Sequence, residues 1–128
     1  MREDDGIAGA DPVSPAWNLA AALERVEGDR ELVDELAHLF AEECPKAMDE
    51  IRSAIDQKDA GLLERGAHTM KGSSGNIGAV QTSELALALE SLARSGNLEK
   101  AKEQFRLLEA EIARLLRELE TLSPKLEG

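Results

Sequence analysis

The 128-residue chain has very few aromatic residues: one Trp, two Phe and no Tyr. β-Branched residues are also sparse, while Leu, Ala and Glu abound. Sheets pack on aromatic and β-branched side chains, so this usage argues against a β domain and for helix. The one cysteine, Cys44, excludes an internal disulfide. It falls inside a helical pattern and reads as a small core residue rather than a reactive thiol. Two His and one Cys at unrelated spacings match no metal-ligand pattern, so no metal site is expected. No apolar run is long enough for a membrane span and no secretory signal is present, which predicts a cytoplasmic chain without membrane insertion.

Positive charge is scarce as well. The net charge is −11 at pH 7. Residues 1–56 hold 15 acids against 5 bases and residues 79–128 hold 9 against 7, but residues 57–78 hold 2 acids and 3 bases. The middle of the chain is an electropositive island in an acidic protein. Acidic surface without stacking rings excludes nucleic acid as a partner. The length fits one domain with a core of its own.

What is present is helical periodicity. Residues 1–16 carry two Pro, two Gly and no apolar period, and read as a disordered leader or linker. Asn18 is an N-cap candidate ahead of Leu19, Leu23 and Val26, with Gly28 as the stop. Asp29 opens a second helix with a stripe of Leu32, Leu36, Leu39, Phe40, Ala47, Ile51 and Ile55. Pro45 inside it predicts a kink near Ala41, not an end. A third helix runs from about Ala60 into the Gly/Ser-rich stretch at Ser74–Gly78. A fourth fits Val80 to about Ser95, with Leu85, Leu89 and Leu92 on one side and Gly96-Asn97 as the stop. The fifth runs from about Leu98 to Leu122 on Phe105, Leu108, Ile112, Leu115, Leu116 and Leu119, and Ser123-Pro124 closes it. Short connections imply antiparallel neighbours. The predicted fold is all-α: an antiparallel four-helix bundle with a short additional N-terminal helix over residues 17–122, followed by a tail at 123–128.

The third helix carries the chemistry. On a wheel at about 100° per residue from Leu62, the residues Leu63, Gly66, Met70 and Ile77 fall between roughly 40° and 100°, the core face. His68 falls near about 240°, opposite the core. Glu64 and Arg65 lie one turn before it, Lys71 and Gly72 one turn after, and Gly75 two turns on. A nucleophilic imidazole that takes a phosphoryl group from another protein must point to solvent, as this one does. Gly72 leaves clearance over the ring, and Lys71 can bring an ammonium to phosphoryl oxygens. Glycine inside a helix costs about 1 kcal/mol relative to alanine. Packing can explain Gly66 on the core face, but Gly72 and Gly75 are read as outward-facing, where something must dock. Glu64, Arg65 and Gly75 are therefore the expected docking positions. His38, flanked by Asp34, Glu35 and Glu42, reads as an ordinary surface residue. Gly72, Gly75 and Gly78 follow no strand and precede no Gly-Lys-Ser/Thr, so no ATP site is expected.

Ala67–Ala79, AHTMKGSSGNIGA, resembles the signature of histidine-containing phosphotransfer (HPt) domains through His68, Lys71, Gly72, Ser73, Ser74, Ile77, Gly78 and Ala79. Asn18-Leu-Ala-Ala-Ala-Leu and Leu89-Glu90-Ser-Leu-Ala extend the similarity to about residues 17–122. The resemblance implies a monomeric carrier in a two-component multistep phosphorelay, with His68 as phosphoryl acceptor, Lys71 steadying the phosphoryl charge and Gly72 giving clearance. Ser73 and Ser74 would cap or pack the helix, and Gly78 would shape the turn. The implied partners are response-regulator receiver domains and a sensor or hybrid histidine kinase. The chain would need no cofactor of its own, with Mg²⁺ on the partner receiver domain. The alternative is a bundle of this kind acting only as an unphosphorylated adaptor or dimerisation module.

Overall fold

A computed structural model describes residues 15–122. The leader before residue 15 and the tail from 123, including the Ser123-Pro124 stop, lie outside the described residues. Five helices follow in order: α1 (Leu19–Arg25), α2 (Arg30–Asp56), α3 (Ala60–Asn76), α4 (Val80–Arg94) and α5 (Leu98–Leu122). Each of the first three starts on a side chain that accepts an otherwise orphaned N–H. Asn18 takes that of Ala21, Asp29 that of Leu32, and Asp59 that of Leu62. Asn97 does the same for Lys100 at the start of α5. The turns are tight, so α2 to α5 stack as antiparallel neighbours, with α1 as the short extra helix. α2 carries on through Pro45 for 27 residues without ending. Among the described residues no helix is long and apolar enough to cross a membrane.

The core draws on every helix: Ala22, Phe40, Ile51, Leu63, Met70, Leu85, Leu89, Leu108, Leu115 and Leu119 are all buried. On α2 the buried stripe differs from the expected one. Val33, Ala37, Phe40, Cys44 and Met48 face inward, while Leu32 is exposed and Leu39 is 48% exposed. The physical reason is that a small residue, Ala37, lets the helices approach, and a reading weighted towards leucine misses it. Cys44 is in the core as expected, and burial pushes its thiol up to about 11. Leu39 and Leu36 instead line a groove with Thr69 and Ser73 of α3.

The N-terminal segment is strapped to the far end of α3. Ala16, placed in the leader by the sequence reading, is buried. The backbone N–H groups of Ala16 and Trp17 donate to the two carboxylate oxygens of Glu118 at 3.0 and 2.9 Å. The Trp17 indole N–H donates to the carbonyl of Ile77 at 2.6 Å. Gly78 follows with φ of +77°, and α1 packs directly against it.

Candidate functional site

α3 holds its inward face with Leu63, Ala67, Met70 and Ser74. That anchoring turns His68 outward, with its side chain 65% exposed. Gly66 lies against Ile51 of α2: a Cβ there would come within 3.0 Å of that side chain, so its absence permits close helix approach. On the other flank α3 packs closely on α4, and the small residues Ala67 and Ser74 of α3 and Thr82, Ala86 and Ala93 of α4 are all buried. A hydroxyl ties this seam: Ser83 Oγ–H of α4 donates to the Lys71 carbonyl of α3 at 3.0 Å, while Ser74 Oγ–H bonds back within α3 to the Met70 carbonyl at 2.6 Å.

The close seam brings a residue of α4 to the histidine. Glu90 is only 4% exposed, and its Oε2 lies 3.0 Å from His68 Nδ1. Its other oxygen, Oε1, lies 3.1 Å from Lys71 Nζ. Arg94, one turn further along α4, donates from Nη2 to Glu90 Oε2 at 3.0 Å and from Nε to Glu64 Oε2 at 2.9 Å. A buried carboxylate is tolerated only with such partners. Burial by itself would push Glu90 up. The Lys71 and His68 hydrogen bonds and charges outweigh it and hold the carboxyl below its ordinary range.

This lowered value carries a pH signature. The unfolded chain takes up the Glu90 proton more readily than the folded one. The site therefore adds stability above the ordinary carboxylate range and loses it as pH falls through the lowered value. Denaturation midpoints should fall more steeply in acid, below about pH 4.5, for the wild type than for Glu90→Gln. Glu111, which burial pushes up, works in the opposite sense but is common to both proteins. Parallel slopes would remove Glu90 from the acid transition.

The same contact assigns the imidazole tautomer. An ionised carboxylate has no proton to give, so in the neutral ring Nδ1 carries the hydrogen and donates it. The lone pair is left on Nε2, on the opposite edge of an exposed ring. The site is thus a solvent-facing ring nitrogen with a buried anion behind it and two cations beside it.

The structure sorts the residues singled out from sequence. Lys71 stands next to His68 as expected, but it is engaged by Glu90 rather than held free. Gly72 faces open space, with nothing within 4 Å of where a Cβ would lie. Gly75 does not share that openness. A Cβ there would meet Ser83 Oγ at 3.6 Å, an ordinary van der Waals contact, so it borders the α3–α4 seam without packing requiring a glycine. Glu64 belongs to the ion-pair network through Arg94, while Arg65 sits on the other flank of α3, beside Leu62 and Thr69. His38 is exposed and, among the described residues, pairs with Glu42 of its own helix. Glu90, Arg94 and Ser83 were not foreseen as site residues. The available signal was Glu90 itself, an acid on the α4 face shared by Ala86, Leu89 and Ala93.

Comparison with known proteins agrees with this geometry. The Hpt domain family profile matches residues 35–118. A search of curated proteins found no significant match. Among solved structures, the chain is similar to histidine-containing phosphotransfer protein B from Pseudomonas aeruginosa PAO1, at 24% identity over 88% of this chain and 97% of that one, with a TM-score of 0.79. It is also similar to the HPT domain of a sensor hybrid histidine kinase from Shewanella, at 18% identity over 88% and 97%, with a TM-score of 0.77. At these identities the two structures speak for the fold, and the profile, which spans well over half of the chain, speaks for the family. A four-helix bundle with an outward histidine on its second long helix, matched over that span, belongs to the Hpt domain family.

Proposed function

We propose that this protein is a phosphoryl carrier of a multistep phosphorelay, and that Nε2 of His68 accepts the group from, and returns it to, aspartates of response-regulator receiver domains. The observation that carries this reading is the His68–Glu90 contact, which directs the lone pair of an exposed ring outward. The Nε2 lone pair forms the new N–P bond. The P–O bond of the partner's aspartyl phosphate breaks, and its electron pair leaves with the carboxylate oxygen. The ring becomes a phosphoimidazolium that still holds the Nδ1 proton, and its positive charge faces Glu90. In the reverse step the leaving group is a neutral imidazole, so no proton has to move in either direction. Lys71, at the edge of the ring, is placed to turn from Glu90 towards phosphoryl oxygens. The partner supplies Mg²⁺ and most of the stabilisation of the transferring group. A histidine kinase is the other expected partner, at the head of the relay.

The test is incubation with a phosphorylated receiver domain. The expected label is acid-labile, base-stable and confined to the peptide holding His68. Label on His38, or stable binding without label as an adaptor would show, would overturn the reading.

Gly72 supplies a second prediction. Gly72→Gln has room at its Cβ, and it replaces a poor helix former with a good one. The variant should be more stable by about 0.5 kcal/mol, yet slower in transfer by about 100-fold, because the longer side chain keeps the partner from close approach. Denaturation and single-turnover transfer measure the two effects. A variant as fast as wild type would refute the clearance argument.

A further inference from the structure

Two carboxylates stand beside the His68 ring, and both would repel an incoming phosphoryl anion. Glu64 precedes His68 by one turn on α3, and Glu90 reaches across from α4. Two cations answer them. Among the described residues Lys71 pairs with Glu90, whereas Arg94 spans both acids, with Nε on Glu64 and Nη2 on Glu90. The Glu90 oxygen that takes Arg94 Nη2 is also the one that accepts His68 Nδ1–H. Guanidinium and imidazole are therefore held within two hydrogen-bond lengths of each other. The Arg94 side chain is 61% exposed, so its charge stands at the surface where a partner arrives.

We infer that Arg94 is a positioning residue for phosphoryl transfer: by bridging Glu64 and Glu90 it neutralises the carboxylates beside the acceptor and keeps Glu90 aimed at Nδ1. The inference rests on the reading of His68 as acceptor. The planar fork of a guanidinium is what lets one side chain serve two acids on two helices; a lysine offers a single point of charge. Without Arg94, Glu64 stands unpaired one turn from the ring. Glu90 keeps only Lys71 and His68.

The test compares wild type, Arg94→Ala and the double variant Arg94→Ala/Glu64→Gln in single-turnover transfer from a phosphorylated receiver domain, at several salt concentrations. Helicity and denaturation midpoint are recorded for each. Arg94→Ala should stay folded and transfer about tenfold more slowly at low salt, with the gap narrowing as salt rises. The double variant should recover most of the lost rate, because the repelling carboxylate has gone with its partner. Nitrogen NMR of the His68 ring should show a smaller Nδ1–H population in Arg94→Ala than in wild type. Wild-type rates in Arg94→Ala would overturn the inference. So would an equal, salt-independent loss in the single and double variants, which is the mark of a merely structural role. A wild-type protein that takes no label would overturn the acceptor reading itself and this inference with it.

Discussion

His68→Gln should fold like the wild type and accept no phosphoryl label at all. The side chain is mostly exposed, so little packing is lost. What matters for stability is Glu90, which is buried and must keep its partners. The glutamine amide can donate an N–H to the same oxygen that now accepts from Nδ1, and Lys71 and Arg94 remain in place. An amide nitrogen has its lone pair delocalised into the carbonyl and is no nucleophile, so chemistry is lost while the network stands. His68→Ala differs, because it removes a donor from a buried carboxylate and should cost about 1 kcal/mol or more in stability. Label incorporation and denaturation midpoints on the two variants separate the roles. Residual label in His68→Gln would move the acceptor elsewhere.

The second large effect is structural. Gly78→Ala should cost about 3 kcal/mol or more, a large share of the stability of an ordinary domain. Its φ of +77° is strained for any residue with a Cβ. The Cβ would also lie 2.8 Å from the backbone nitrogen of Ala22 and 3.0 Å from its Cα. Those are backbone atoms of α1, which cannot swing aside as a side chain can. Gly96→Ala is the control. It has a similar positive φ of +76° but nothing within 4 Å of the added carbon. It should lose about 1 kcal/mol, the conformational part alone. Urea titrations of both proteins give the comparison, and equal losses would show that the α1 contact adds nothing.

Much of the architecture could be read from local signals. Asn18 and Asp29 act as caps where expected, and α5 has the bounds its periodicity implied. The outward direction of His68 followed from a wheel alone, because Leu63, Met70 and Ile77 leave little doubt about the inner face. The α2 stripe was harder, since Ala37 carries burial that its small size hides, while Leu32 and Leu39 stay exposed. The site was only half visible. Glu90 is 22 residues from His68, and no period within one helix reveals which acid of the next helix will cross the seam. The pairing of Lys71 with Glu90 was invisible for the same reason: the partner lies on another element. Gly75 looked open because a wheel knows nothing of Ser83.

The strap at the end of α3 has an optical consequence. Trp17 is the one tryptophan and there is no tyrosine, so near-ultraviolet emission comes almost wholly from a single indole. That indole is buried and bonded to the carbonyl of Ile77, the residue that caps α3. Its spectrum is therefore a built-in gauge of one joint, the seat of the N-terminal segment on α3. A red shift that precedes the loss of helical signal in a denaturation would time the release of that joint, with no dye or label attached.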